Sequence, residues 1–321
     1  LWEKERSVPT ALALAGGEIV VTSYDGRLLR VVAPPATPEL APSLADPGCV
    51  DPADPKKPAS GLFRYDVNVP QWLDGLEADR ALAIPEGATI ELRDGRLLLP
   101  PGAIATRTIR DGATPLETQL LVRRPDGRWG AYAYAWRPDG TRADLVEGEA
   151  TVARPGGGTH RVVARGACLA CHGEAGGVTL GLELAQLERD LDYGGRRGNI
   201  LATLEHVGLL ARPVEPVAPL PRRDGAASPE DRARALLHVE CASCHRGDGT
   251  DMDLRFGTPL GATGTCGVSG RVVPGDPGAS AVARAMRTRG PGQIPPFGTD
   301  AVDQEGVSIV ESWIRSLPGC P

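Results

Sequence analysis

The chain has 321 residues, and its 35 Lys and Arg against 41 Asp and Glu give a formal net charge of −6. This length allows two or three domains with at least one sizeable core. The acidic balance excludes the basic footprint of a protein that binds nucleic acid or an anionic membrane surface. No apolar run is long enough for a membrane span, because Gly16, Gly17 and Glu18 interrupt the most apolar early segment.

The first 60 residues are predicted to hold two strands and a proline-rich connection. Strand-like segments cover Glu18–Ser23 and Arg27–Val32, and Tyr24-Asp25-Gly26 between them is typical of a hairpin turn. Eight prolines between residues 34 and 58 predict an extended connection. Residues 2–6 lack the apolar core of a signal peptide, so we expect a mature form of an exported chain.

Residues 61–155 are predicted to form a β-rich, sandwich-like domain. Pro125-Asp126-Gly127 recurs as Pro138-Asp139-Gly140, which predicts the same turn twice in a meander. Between the two turns, small residues alternate with Tyr132, Tyr134 and Trp136, and this period of two indicates a strand with one aromatic face. Other short apolar runs are separated by Gly and Pro: Ala88–Leu92, Arg96–Leu99 and Leu116–Arg123.

Four of the seven cysteines fall in two C-x-x-C-H units, Cys168–His172 and Cys241–His245. Two thiols one helical turn apart reach the two vinyl groups on one edge of a porphyrin, and a histidine directly after the second thiol reaches the iron. The units therefore predict two covalently bound haem c groups. The thiols would be those of Cys168, Cys171, Cys241 and Cys244, and the iron ligands His172 and His245.

Two other interpretations of these motifs compete with haem. A C-x-x-C pair also occurs as a redox dithiol, and two pairs can join in a four-thiolate zinc site. A dithiol does not require a following histidine, and a zinc site would make both histidines coincidental. Haem is therefore the leading interpretation.

Two haem-binding regions are predicted after the β-rich domain, over residues 156–222 and 223–321. In the first, four leucines from Leu180 to Leu191 fall at helical spacing, and a second helix is predicted over Ile200–Leu210. In the second, Ser228 is a good N-cap for a helix that runs into Cys241. The predicted fold class is α+β, with the β-rich, sandwich-like region followed by mostly α-helical cytochrome c haem domains.

Three cysteines remain outside the motifs. Haem c is attached outside the bacterial cytoplasm, where thiols also oxidise, so we expect a periplasmic or extracellular protein. Cys266 and Cys320 are candidates for a disulfide that ties the loop after the second motif to the C-terminus. Cys49 is an equal candidate to pair with either of them, because connectivity does not follow from sequence.

The chain resembles a family of exported di-haem c-type cytochromes that are often found beside parallel β-helix proteins. The resemblance spans most of the chain, and residues 228–320 are also similar to a single-haem cytochrome c domain. It implies electron transfer with an undefined partner. Family members commonly carry a Met-Pro motif late in the second domain, but here Ile294 precedes Pro295. The stretches that carry the resemblance are 47–49, 61–68, 116–121, 165–168, 180–183, 232–245 and 313–314, with the terminal Cys320.

The second axial ligand of each iron must come from the remaining histidines and methionines. For the second haem we favour Met286, because similar domains carry a Met there, with Met252, a histidine or an open site as alternatives. For the first haem we favour His206, which lies on a predicted helix beside small and apolar residues. His160 and His238 are the alternatives there.

The leading functional hypothesis is a di-haem carrier that moves one electron at a time between a redox protein donor and an acceptor. A rival hypothesis is a peroxidase-like di-haem enzyme with one open iron, because an open side permits peroxide or other small ligands to bind. A third is a haem-bearing subunit that docks on other exported proteins or on copies of itself. The sequence leaves open whether the chain is an enzyme, although a carrier is favoured.

Overall fold

The computed structural model describes residues 9–15, 18–23, 28–31, 41–172, 178–247, 250–290, 293–295 and 298–321. The chain divides into two compact units, residues 1–40 and residues 41–321. The first unit holds a three-stranded antiparallel sheet of β1 (Pro9–Ala15), β2 (Glu18–Ser23) and β3 (Leu28–Val31). Strands β2 and β3 confirm the two predicted strands, whereas the turn at residues 24–26 lies outside the described residues.

The second unit is built on a six-stranded antiparallel sheet in the order β11-β10-β9-β8-β5-β4. The Pro-Asp-Gly turns join β9 to β10 and β10 to β11, and in each the glycine N–H donates to the carbonyl of the arginine three residues earlier. Both glycines have positive φ, so the predicted meander is confirmed. The strands of this sheet are β4 (Phe63–Tyr65), β5 (Glu77–Ala83), β8 (Ile104–Asp111), β9 (Thr114–Arg123), β10 (Trp129–Trp136) and β11 (Ala143–Val146).

Three two-stranded sheets and six helices accompany the main sheet within the described residues. The small sheets are β6 (Glu91–Arg93) with β7 (Arg96–Leu98), β12 (Ala150–Ala153) with β13 (Thr159–Val162), and β14 (Asp190–Asp192) with β15 (Arg197–Asn199). The helices are α1 (Arg165–Cys171), α2 (Leu184–Leu187), α3 (Ile200–His206), α4 (Pro229–Cys241), α5 (Ala281–Arg287) and α6 (Gln304–Ser316).

The predicted fold class is wrong, because the chain is β-rich and its second half is not mostly helical. The helices there have between four and thirteen residues, and most described residues after 155 lie in turns and loops. Gly181, whose φ is +84°, interrupts the leucine pattern that predicted a long helix, and Leu191 lies in β14. Between α4 and α5, glycines favour turns over helix. The sandwich-like prediction is also wrong, since the described strands of the second unit form one large sheet and three small two-stranded ones.

Two of the apolar clusters in the second unit, the larger ones, involve its helices. One packs α3 and the α2 segment against the sheet through residues such as Leu82, Leu187 and Leu204. The other packs α4, α5 and α6 around Trp313, which is 1% exposed. Ser228 caps α4 by accepting the N–H of Asp231 at 3.0 Å, as predicted.

The disulfide pairing that the sequence left open is Cys266 with Cys320. It joins the loop that follows the second motif to the C-terminus across 54 residues of chain. Cys49 is a buried free thiol. A disulfide of this kind is typical of a protein that matures outside a reducing compartment.

Candidate functional site

The first C-x-x-C-H motif lies on α1, which packs on the main sheet. The Arg165 guanidinium stands over the ring of Tyr132 on β10, 4.5 Å from its centroid. Burial raises the pKa of both Cys168 and Cys171. A redox dithiol needs a thiol whose pKa is lowered, so these neutral thiols do not fit that chemistry.

His172 begins the loop after α1 and is held in one ring tautomer. Its Nδ1 atom lies 2.5 Å from the carbonyl oxygen of Val178. A carbonyl only accepts, so Nδ1 carries the proton and Nε2 presents a lone pair. Burial lowers the pKa of His172, which keeps the imidazole neutral. Histidines that bind metals usually donate their other ring N–H in this way.

A cleft of about 1110 Å³, part of it open to solvent, lies beside Cys168 and His172. The face of the main sheet forms one wall, through residues of β4, β5, β8, β9 and β10, including Tyr65, Leu120 and Tyr132. The loop at residues 179–183 adds apolar side chains such as Leu180 and Leu182. We call this space the sheet cleft.

Positive charge predominates on the walls of the sheet cleft. Four arginines line it, Arg80, Arg96, Arg107 and Arg246, against one carboxylate, that of Glu183. Arg80 pairs with Asp66 at 3.0 Å, and Arg96 pairs with Glu183. Among the described residues, neither Arg107 nor Arg246 forms an ion pair with a carboxylate. Arg107 instead donates to Gln119 at 2.9 Å and Gln71 at 3.1 Å. The cleft therefore suits a largely apolar molecule that carries acidic groups.

The second motif begins in the last turn of α4. Cys241 is partly buried, and burial raises its pKa to about 12, while Cys244 is exposed. His245 follows with its pKa lowered by burial, so it is also neutral. Its Nδ1 atom is buried and has no hydrogen-bond partner in the part of the chain that the structure describes. One ring nitrogen is thus unsatisfied where the motif predicts an iron ligand.

The two motifs lie next to each other. Ser243 and Arg246, which flank Cys244 and His245, form part of the wall of the sheet cleft. Two groups bound at these motifs would therefore share a boundary.

His238 also lines the sheet cleft, although it belongs to the helix of the second motif. Its Nε2 lies 2.8 Å from Oε2 of Glu183, and its Nδ1 accepts the backbone N–H of Phe256 at 3.3 Å. Burial alone would raise the pKa of Glu183, but the hydrogen bond from His238, with the charge and hydrogen bond of Arg96, lowers it to about 2.

The favoured distal ligands lie in two different settings. Met286 on α5 is buried in the cluster of α4, α5 and α6, and Cys241 packs against the same cluster. His206 is exposed at the end of α3 and does not line the sheet cleft. His160 on β13 is buried and lies 2.7 Å from Oε2 of Glu117. The structure thus brings Met286 near the second motif and does not bring His206 to His172.

The sequence interpretation missed the sheet residues of the cleft. Arg80, Arg107 and Gln119 are direct cross-strand partners on β5, β8 and β9. Direct partners on neighbouring antiparallel strands lie on the same face of the sheet, but this pairing is not visible in the linear pattern. The signal available in the sequence for these cleft residues was a polar residue within a strand that is otherwise buried.

The donor set fits the parts of a haem c group. Within the described ranges, no three His, Cys, Asp or Glu side chains are grouped as ligands of a metal ion. The neutral His172 with a fixed tautomer, two thiols on one helix, an apolar cleft and arginines for the propionates match the parts of a haem. The free lone pair of His172 and the orphaned ring nitrogen of His245 are the observations that support this fit.

Comparison with protein-family models, with curated proteins and with solved structures found no match. Among the helices that the structure describes, none has the length and apolar character needed to cross a membrane.

Proposed function

We propose that the chain is an exported di-haem c-type cytochrome that transfers single electrons between a donor and an acceptor protein. Cys168, Cys171 and His172 would hold the first haem, and Cys241, Cys244 and His245 the second. The observation that carries this proposal is the shared wall. Ser243 and Arg246 of the second motif line the cleft that Cys168 and His172 also line.

Each haem would supply an iron that accepts and returns one electron. The protein's part is to fix the two groups side by side and to limit their access to water. α1 packs against the sheet, and α4 is anchored to the sheet unit because Trp72 donates its backbone N–H to Oε1 of Glu240 at 2.7 Å. Rigid placement of this kind favours electron transfer between the two haems over electron transfer to molecules that collide with the protein at random.

Met286 is the proposed second ligand of the second haem. It lies in the apolar cluster against which Cys241 packs, on the short helix α5. A Met ligand raises the potential of a haem iron relative to a His ligand. The two haems would then differ in potential, and the electron would rest preferentially on the second one.

The proposed setting is the periplasm or the cell exterior, with redox proteins as partners. The Cys266–Cys320 disulfide supports an oxidising compartment. The partner proteins are defined here only by chemistry, as one-electron donors and acceptors.

A potentiometric titration followed by visible absorption tests the proposal. We expect two one-electron steps at different potentials in the holoprotein, and loss of the higher one in Met286→Ala. Val282→Ala, on the same helix and packed against the same cluster, is the matched control and should keep both steps. A protein that binds no haem, or one whose haems do not exchange electrons with a soluble mediator, would contradict the proposal.

A further inference from the structure

Two carboxylates and one guanidinium are buried together where α4, the start of α6 and the loop after β4 meet. Nη2 of Arg223 lies 3.4 Å from Oε1 of Glu240, and its Nη1 lies 2.5 Å from Oδ2 of Asp303. None of these three side chains is more than 12% exposed. One buried positive charge therefore faces two carboxylates, and the group carries an excess negative charge unless one carboxylate is protonated.

Asp303 has partners for both of its carboxylate oxygens. It is the N-cap of α6, where Oδ1 accepts the N–H of Gly306 at 2.9 Å. The positive end of the helix dipole favours an anion at this position. Oδ2 accepts from Arg223, which lies closer to Asp303 than to Glu240. The proton that relieves the excess charge therefore belongs on Glu240.

Glu240 has hydrogen-bond partners for only one of its oxygens. Oε1 accepts the backbone N–H of Trp72 at 2.7 Å and faces Arg223, whereas Oε2 is buried and forms no hydrogen bond with any residue that the structure describes. Burial raises the pKa of this carboxyl to about 7, and the charge of Asp303 acts in the same direction. The Trp72 N–H and the charges of Arg223 and Arg107 oppose the rise. Such a carboxyl exchanges its proton near neutral pH.

Glu240 also lies next to the second haem motif and near solvent. It directly precedes Cys241, one of the two thiols proposed to hold the second haem. An open cleft lined by Trp72, Arg223 and Glu305 brings water to the side of the buried group. Ferric iron carries one more positive charge than ferrous iron, and charges interact strongly in a buried environment. The oxidised haem therefore favours the ionised carboxylate, and the reduced haem favours the protonated one.

We infer that the Glu240 carboxyl couples electron transfer at the second haem to the binding of one proton. On reduction, the iron accepts one electron from the donor protein and the carboxylate accepts one proton from water. On oxidation, the electron leaves to the acceptor protein and the proton returns to water. This inference rests on the proposed function, because it requires the second haem. It goes beyond electron transfer, since the potential of that haem then depends on pH.

Potentiometric titration of the holoprotein at a series of pH values tests the coupling. The higher potential, that of the second haem, should fall as the pH rises through about 7. We expect a total fall of about 59 mV, which corresponds to a tenfold difference in proton affinity between the two redox states. This fall should be absent in Glu240→Gln.

Glu311→Gln is the matched control for this titration. Glu311 is also a buried carboxylate, but it pairs with two guanidiniums, those of Arg287 and Arg315. The fall in potential should therefore be kept in Glu311→Gln. Asp303→Asn keeps an oxygen for the N-cap and removes the competing carboxylate. It should move the pH-dependent range to lower pH, because Arg223 then pairs with Glu240 alone.

Infrared difference spectra between the oxidised and reduced holoprotein give a second readout, on the proton itself. Near pH 7, reduction should add the C=O stretching band of a protonated carboxyl in the natural chain and in Glu311→Gln. The band should be missing in Glu240→Gln. Its absence in the natural chain would overturn the inference.

The same pH dependence of the potential in Glu240→Gln as in the natural chain would also overturn the inference, because another group, such as a haem propionate, would then take up the proton. The number of covalent haems, measured on the same samples by mass, separates the two proposals. Two haems whose pH dependence does not respond to Glu240→Gln contradict only the proton coupling, whereas no haem contradicts the proposed function as well.

Discussion

The Nε2 atom of His238 lies 2.8 Å from Oε2 of Glu183 and joins the helix of the second motif to the loop that follows the first motif. The two residues are 55 positions apart in the sequence. Both line the sheet cleft, and Arg96 on β7 forms an ion pair with Glu183. The contact between His238 and Glu183 ties the surroundings of the two motifs together.

The first prediction concerns the acid stability that this contact provides. The pKa of Glu183 is about 2 in the folded chain, against 4.5 as its ordinary value. Its contribution is therefore present above pH 4.5 and is lost as the pH falls from there toward 2. We expect Glu183→Gln to remove this part of the acid dependence, which for one proton cannot exceed about 1.4 kcal/mol per pH unit. Urea unfolding at a series of pH values measures it.

An unchanged acid dependence in Glu183→Gln would show that the carboxylate is not stabilised by His238 and Arg96. Glu205→Gln, which changes an exposed carboxylate on α3, is the matched control. It should keep the acid dependence of the natural chain.

The second prediction concerns Glu240, which directly precedes Cys241. Burial raises its pKa to about 7, although the N–H of Trp72 and the charge of Arg223 act in the opposite direction. The pKa of Glu240 is higher in the folded chain than its ordinary value of 4.5. The stability contributed by its protonated form is therefore fully present below pH 4.5 and declines as the pH rises toward 7. We expect Glu240→Gln to unfold at a higher urea concentration than the natural chain at pH 8, because the new amide oxygen would still accept the Trp72 N–H without a buried charge.

The advantage of Glu240→Gln should disappear near pH 4, where the natural carboxyl is protonated. Equal stability of the natural chain and Glu240→Gln at pH 8 would mean that Arg223 fully compensates the buried charge of Glu240. Arg223 lies 3.4 Å from Oε1 of Glu240 and also pairs with Asp303 at 2.5 Å.

The third prediction concerns the buried pair of His160 on β13 and Glu117 on β9. Glu117 is 1% exposed and accepts from Gln119 at 2.8 Å as well as facing His160. Removal of one partner from a buried pair costs about 3–5 kcal/mol, because the other is left uncompensated. We expect His160→Leu to lower the free energy of unfolding by about that amount.

The double variant His160→Leu with Glu117→Leu is the informative comparison. Replacing a whole buried pair with apolar side chains is often neutral, so much of the loss should be regained. A double variant as unstable as the sum of the two single ones would mean that the residues act independently.

The fourth prediction concerns the disulfide between Cys266 and Cys320, which closes a loop of 54 residues. Cys320→Ser should lower the free energy of unfolding by about 4 kcal/mol, the chain-entropy estimate for a loop of this length. A reducing agent should produce a similar loss in the natural chain and none in the variant. Loss in the variant on reduction would indicate a different pairing, for example one that involves Cys49.

Local signals in the sequence predicted part of this structure well. Ser228 with Pro229 marked the start of α4, and the two Pro-Asp-Gly turns marked the meander, because each depends on neighbours within four residues. The helical content after residue 155 was overestimated. The leucine spacing from Leu180 to Leu191 has the period of a helix, but Gly181 and the pairing of β14 with β15 override it.

Local signals in the sequence could not predict which residues line the sheet cleft. Cys168 and His172 are found by their motif, whereas Arg107 and His238 reach the same space only through strand order and the docking of α4. These are long-range relationships, and a single sequence does not encode them as spacing.

The central claim is that this chain carries two covalent haems, and the intact mass of the exported protein tests it most directly. The protein should be produced with a signal peptide in a host that attaches haem c, alongside Cys168→Ala with Cys171→Ala and, as a control, Cys49→Ala. We predict a mass increase of two haems in the natural chain and in Cys49→Ala, and of one haem in the double variant. A mass equal to that of the polypeptide alone in all three proteins would contradict the account.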